Sequence, residues 1–263
     1  MRLHTLISIL GIAGILTTGC STSPTAPPEG ASPRQLITQI LHTSAFDPSF
    51  FTQGLELDPE GNLLVGTGGY GTSGLYRVDP TGQVIQSVSL PRTDFGEGIT
   101  RAGEDLWQLT WREHRAYQRD ARSFAVKKTF PLREEGWGIC FDGTHLWTSD
   151  GSSQLKQRNS STFEVERTVT VSVGEKPLEY LNELECADGA ILANVFLTTQ
   201  IAKISPEDGS VTALIDASAL PNNAQEDENN VLNGIAHIPG TDTFYLTGKR
   251  WPDLYTVRLV SHG

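Results

Sequence analysis

The sequence predicts an all-β protein, a five-bladed β-propeller with four-stranded antiparallel blades, and three observations carry that expectation. A short motif recurs five times, opening at Gln53-Gly54-Leu55, Glu97-Gly98-Ile99, Trp137-Gly138-Ile139, Glu183-Leu184-Glu185 and Asn233-Gly234-Ile235. The copies are spaced by roughly 40–50 residues, the period of propeller blades built from short strands. Each copy leads through a turn containing Asp or Gly into a second short apolar strand, over 62–65, 105–108, 145–148, 191–194 and 243–246. The residue that opens the motif also varies, from Gln to Glu, Trp, Glu and Asn. A ring of repeats brings those five positions around one axis, so unlike groups there mark a site.

Each repeat continues into a second pair of strands that alternate apolar and polar residues, as half-buried antiparallel strands do. These are 75–79 with 84–90, then pairs within 116–132, 155–173 and 201–215. The last repeat offers only 254–259 before the chain ends. The run Gln35-Leu36-Ile37-Thr38-Gln39-Ile40-Leu41 is expected to supply its outer strand, closing the ring and leaving no free blade edge. A β-sandwich is the alternative, and five copies in one fixed internal order count against it.

Residues 1–19 read as a bacterial export signal: Arg2 gives a positive start, and 6–16 form an apolar run short for a membrane span. The run ends at Thr17-Thr18-Gly19-Cys20, which resembles a lipoprotein signal with Cys20 as the lipid-attachment residue. Thr17 stands where Leu is usual, and a plain secretory signal cut nearby is the alternative. Residues 20–33, rich in Ser, Thr and Pro, bury no core and read as a flexible tether, leaving 34–263 as the propeller domain. The expected location is therefore the cell envelope, anchored or periplasmic, or the medium.

Hydrophobic residues make up 38% and charged residues 19% of the 263-residue chain, a globular composition, with 26 Gly and 14 Pro suited to many turns. The net charge of −11, with no basic cluster to offset it, argues against nucleic acid or an anionic membrane surface as partner. The acidic stretch 225–228 reads as a solvated loop. Six His residues are scattered without metal-ligand spacing, and no metal site is expected. Cys140 and Cys186 fall at matching positions of neighbouring repeats. An oxidising compartment permits a disulfide, but equivalent positions on adjacent blades are often too distant, so two buried thiols are expected.

Read in order, the chain offers Phe51-Thr52-Gln53-Gly54-Leu55, Gly96-Glu97-Gly98-Ile99, Leu109-Thr110-Trp111 and Glu135-Gly136-Trp137-Gly138. There follow Leu181-Asn182-Glu183-Leu184-Glu185, Ala193-Asn194-Val195-Phe196, Leu232-Asn233-Gly234-Ile235-Ala236 and Thr247-Gly248-Lys249-Arg250-Trp251-Pro252. This series, over about residues 34–260, resembles the plant and bacterial type of glutaminyl-peptide cyclotransferase. The resemblance implies a five-bladed propeller that converts N-terminal glutamine of peptides or proteins to pyroglutamate and releases ammonia; no cofactor and a monomer are expected. It also implies Glu97 as the catalytic carboxylate, Gln53, Asn182 and Lys249 as polar groups of the pocket, and Phe51, Trp111 and Trp137 as its aromatic wall. One departure is Phe196, where the motif usually carries Trp; the ring keeps an aromatic face but loses an N–H donor.

The chemistry suits these residue types. The substrate's α-amine attacks its own γ-amide carbon, so the site must fold the side chain back, deprotonate the amine and protonate the departing nitrogen. Orientation contributes up to roughly 7–11 kcal/mol in well-placed systems, and one general acid–base group typically gives about 10²–10⁴-fold. Glu97 is the candidate for proton transfer and Lys249 for stabilising the oxyanion. Gln53 and Asn182 are candidates to orient the γ-amide, with Glu183 and Asn233 supporting them from the same register. Trp107 and Trp147 share a position inside the second strand and read as blade core, whereas Trp251 fits either role. The alternatives are a non-catalytic secreted propeller that binds peptides or sugars, and a lactonase- or lyase-type propeller.

Overall fold

The computed structural model describes residues 32–261, and the export signal, Cys20 and most of the tether lie outside the described residues. Twenty-two strands and no helix make up the described chain. β1 (Arg34–Ala45) precedes the first four-stranded sheet, which contains β2 (Thr52–Leu57), β3 (Leu63–Thr67), β4 (Gly74–Val78) and β5 (Val84–Ser89). The second holds β6 (Gly96–Ala102), β7 (Asp105–Thr110), β8 (Arg115–Asp120) and β9 (Val126–Pro131). The third holds β10 (Ile139–Phe141), β11 (His145–Thr148), β12 (Gln154–Asn159) and β13 (Val165–Thr170). A small hairpin absent from the sequence reading, β14 (Ser172–Val173) with β15 (Lys176–Pro177), leads into the next unit. That unit is β16 (Leu181–Ala187), β17 (Ala190–Val195), β18 (Gln200–Ile204) and β19 (Val211–Asp216). The last is β20 (Leu232–His237), β21 (Thr243–Gly248) and β22 (Asp253–Ser261).

β1 completes that last unit, pairing antiparallel with β22 from Leu36↔Ser261 to Ala45↔Asp253. It extends beyond the expected run and also pairs in parallel with β19, Arg34 to Ile37 against Ala213 to Asp216, so the last two units share one eight-stranded sheet. The first strands of the units touch in a closed cycle, β2 to β6, β10, β16, β20 and back to β2. Glycine at the repeat position is what permits this close hub. A Cβ on Gly98 would stand 2.7 Å from the Trp137 carbonyl oxygen, which instead accepts the Gly98 N–H at 2.8 Å.

Apolar faces meet between the units. Trp107 and Trp147 are fully buried, as the repeat register implied, and Trp107 stacks on Phe163 at 4.9 Å. Trp251 is also core: its indole donates to the Asn230 carbonyl and its ring packs edge-on to Tyr255. The expectation of two free thiols is corrected, because Cys140 and Cys186 form a disulfide with Cα atoms 5.4 Å apart. Both lie on first strands, β10 and β16, and first strands crowd the hub; blades diverge only toward their outer strands.

Candidate active site

Each of β2, β6, β16 and β20 breaks register with its neighbour near its start: between Thr52 and Gly54, Gly96 and Ile99, Leu181 and Leu184, and Leu232 and Ile235. A bulge leaves residues out of the ladder and re-aims their side chains. The residues released are Gln53, Glu97 with Gly98, Asn182 with Glu183, and Asn233 with Gly234. In four of the five copies the variable position of the motif is thus the bulged position, at the end of the ring where the first strands begin, and Trp137 stands just before β10.

All eight residues singled out from the sequence line one cavity of about 260 Å³: Phe51, Gln53, Glu97, Trp111, Trp137, Asn182, Phe196 and Lys249. Phe95 and Asn229, which the sequence reading missed, complete it. The lining divides by chemistry. Gln53, Glu97, Asn182 and Lys249 are each no more than 5% exposed, whereas Phe51, Phe95, Trp111, Trp137 and Phe196 are half-buried and form a wall above them. Edge-to-face contacts join the wall in two runs: Phe51 to Phe95 at 6.2 Å and Phe95 to Trp111 at 5.4 Å, and separately Trp137 to Phe196 at 5.6 Å.

The polar floor is a network. Gln53 Nε2 donates to Glu97 Oε1 at 3.3 Å, and Gln53 Oε1 accepts from Asn233 Nδ2 at 3.3 Å. Asn233 therefore fixes which way the Gln53 amide faces, the supporting role its register suggested. Glu183 supports the hub more than the cavity, taking the N–H groups of Leu55 at 3.2 Å and Ile235 at 3.0 Å on its two oxygens. Asn182 Oδ1 is buried with no hydrogen-bond partner, which leaves an acceptor for a bound N–H.

Burial pushes the Glu97 carboxyl well above its usual range, with the Glu135 and Glu113 charges adding to the rise and Lys249 opposing it. Burial likewise lowers Lys249 to about 8, with Glu97 opposing. The Lys249 ammonium sits over two aromatic faces, 5.0 Å from the Phe51 centroid and 4.7 Å from that of Phe196. The floor thus joins a carboxyl that burial makes a better proton holder than an ordinary carboxylate to a cation that is easily neutralised. Among the described residues no group of three or more His, Cys, Asp or Glu side chains is placed to hold a metal ion.

Known proteins share this sequence pattern and this fold. The model of a family described as glutamine cyclotransferase matches residues 12–259. The chain is 37% identical over 226 residues to the glutaminyl-peptide cyclotransferase of Arabidopsis thaliana, covering 84% of this chain and 71% of that protein. Its fold matches the crystal structure of Myxococcus xanthus glutaminyl cyclase with a TM-score of 0.82 at 32% identity, over 88% of this chain and all of the other.

Proposed function

We propose how this chain, which belongs to the glutamine cyclotransferase family, converts N-terminal glutamine of a peptide to pyroglutamate. The observation that carries the mechanism is the desolvated Glu97 carboxyl beside the buried Lys249, on the floor of an aromatic-walled cavity.

The glutamine side chain enters the cavity and its methylenes pack against the aromatic wall, which holds the chain folded back and excludes water. Asn182 Oδ1 accepts an N–H of the substrate, and Gln53, held by Asn233, keeps the Glu97 carboxylate aimed. The α-nitrogen attacks the γ-carbon, the new C–N bond forms, and the carbonyl electrons move to oxygen. Lys249 stabilises that oxyanion. Glu97 takes the proton that the attacking nitrogen loses and returns it to the amide nitrogen, which leaves as ammonia as the oxyanion electrons re-form the carbonyl and the C–N bond breaks. One proton moves in and one out, so Glu97 ends as it began. A carboxyl raised above its usual range binds the proton more readily than an exposed carboxylate, which suits its part in that transfer.

The donor set gives the reaction no evident metal requirement: the cavity lining holds one carboxylate, opposed by an ammonium. The propeller is read as one domain over 34–263, exported with its chain start as a signal. The Cys140–Cys186 disulfide supports an oxidising compartment, and the Thr-Thr-Gly-Cys20 sequence supports a lipid anchor. The test is ammonia release from a Gln-initiated dipeptide by the purified propeller, with and without excess EDTA. Release in both is expected. No release would favour a non-catalytic binding propeller, and loss on chelation restored by added metal would reject the proton-transfer scheme above.

A further inference from the structure

Glu135 is absent from the cavity lining, yet it bonds two of the wall residues. Its Oε2 accepts the indole N–H of Trp111 at 2.8 Å and that of Trp137 at 3.1 Å. The two rings come from different blades: Trp111 follows β7, and Trp137 precedes β10. The other oxygen, Oε1, accepts from Arg112 Nε at 2.8 Å, while the Arg112 guanidinium lies 3.8 Å over the Trp111 ring. One carboxylate therefore joins two rings and a cation into a single braced unit. Burial alone would raise the Glu135 carboxyl, but donors from Arg112, Trp137 and Trp111 hold it below the usual range, so it stays ionised as that bracing requires.

We infer that Glu135 is a positioning residue for the substrate: it fixes the spacing and tilt of Trp111 and Trp137 and occupies both indole donors, so the wall offers glutamine ring faces and no hydrogen bond. This inference rests on the reading of the cavity as the substrate site. A free indole N–H beside a γ-amide competes with Lys249 for the substrate oxygen. Engaging both N–H groups on Glu135 leaves the floor as the polar partner of the amide. Glu135 acts a second way through its charge. The charged groups that act on Glu97 are Lys249, which opposes its rise, and Glu135 and Glu113, which reinforce it. Arg112 is paired to Glu135, and Glu113 is held by the Tyr70 hydroxyl and the Phe95 N–H.

Glu135→Gln keeps the shape but offers one acceptor and one amide NH₂ to three donors, so either the indoles or Arg112 lose their partner. In steady-state ammonia release from a Gln-dipeptide, KM should rise at least about tenfold, the scale of a lost hydrogen bond to a charged group, with kcat within about threefold of the parent. The acid limb of kcat/KM should move to lower pH, because a negative neighbour of Glu97 is gone. A purely structural residue would leave that limb in place. Arg112→Ala, at a side chain 59% exposed, should fold and raise KM in the same direction by a smaller factor. It carries the test if Glu135→Gln does not fold. A parental KM in a folded Glu135→Gln, or in Arg112→Ala if that variant alone folds, overturns the proposal. Near-UV circular dichroism separates this inference from the functional reading. If the parent releases no ammonia, the functional reading fails; a changed indole spectrum in Glu135→Gln still supports the bracing, and a parental spectrum overturns it.

Discussion

Replacing Glu97 with Gln removes one proton acceptor and almost nothing else. Glu97 is 5% exposed, and its Oε1 takes the Gln53 amide at 3.3 Å; a Gln carbonyl at 97 accepts the same bond. The fold should therefore survive. Loss of general acid–base transfer should lower turnover by about 10²–10⁴-fold, which corresponds to about 3–5 kcal/mol of barrier. Two further effects follow from the charges. Lys249 is held at about 8 against burial by the opposing charge of Glu97; without it, the ammonium is lost at lower pH. The residual activity of Glu97→Gln should thus fall off earlier on the alkaline side than the parent. The folded Glu97 carboxyl also titrates above its unfolded value, so its stabilising share is full below the unfolded pKa and is lost as pH rises through the folded one. The Gln variant lacks that loss and should be no less stable than the parent at pH 8. The assay is coupled ammonia release over pH 5–9, with thermal unfolding of the same samples. Turnover within threefold of the parent, in a folded variant, would refute the mechanism and send the proton through another group.

Phe196→Ala should lower kcat/KM by the equivalent of about 1–3 kcal/mol, because the ring is half-buried, meets Trp137 edge-on and carries the Lys249 ammonium on its face; Phe196→Trp should be tolerated. Unfolding of Phe196→Ala with unchanged kinetics of the folded fraction would place the ring in the core instead. Trp147→Phe should destabilise more than Trp107→Phe in urea titrations: Trp147 Nε1 donates to Asp142 at 2.8 Å, whereas Trp107 Nε1 is buried without a partner. Equal losses would show that the Asp142 bond adds nothing. Cys140→Ser with Cys186→Ser should cost up to about 4 kcal/mol by the loop-entropy rule for a closed loop of 46 residues, read from denaturant midpoints, and no change would mean that the thiols are free in solution. The thermal midpoint should fall between pH 5 and 8. Burial raises Glu56 to about 7 and lifts Glu183 and Glu185 well above the usual range, so stability is full below about 4.5 and is lost as pH rises through the folded values. A flat or rising midpoint would contradict that; Lys249 acts the other way only above about 8.

The repeat by itself determined the blade order and the closing strand, and the family resemblance of the ordered motifs pointed to eight of the residues that line the cavity. Strand periodicity and turn residues are local properties, and a recurring motif with one varying position shows where the local rule yields to something else. In four of the five copies that position proved to fall in the bulge that turns Gln53, Glu97, Glu183 and Asn233 out of the ladder. The same register held more than was taken from it. Phe95 stands two residues before Glu97 as Phe51 stands two before Gln53, and Glu135 stands two before Trp137. Both residues lie two positions upstream of the motif's varying residue, in the same register. Tertiary structure alone decided the rest, because it depends on distances between blades that no local pattern encodes. The disulfide exists because β10 and β16 crowd the hub, and Lys249 is a buried cation because the Phe51 and Phe196 faces cover it. Asn229 reaches the cavity from an acidic loop whose sequence reads as plain solvated surface. The shared bond of Trp111 and Trp137 to one oxygen joins residues of two blades, and only the closed ring brings them within reach of Glu135.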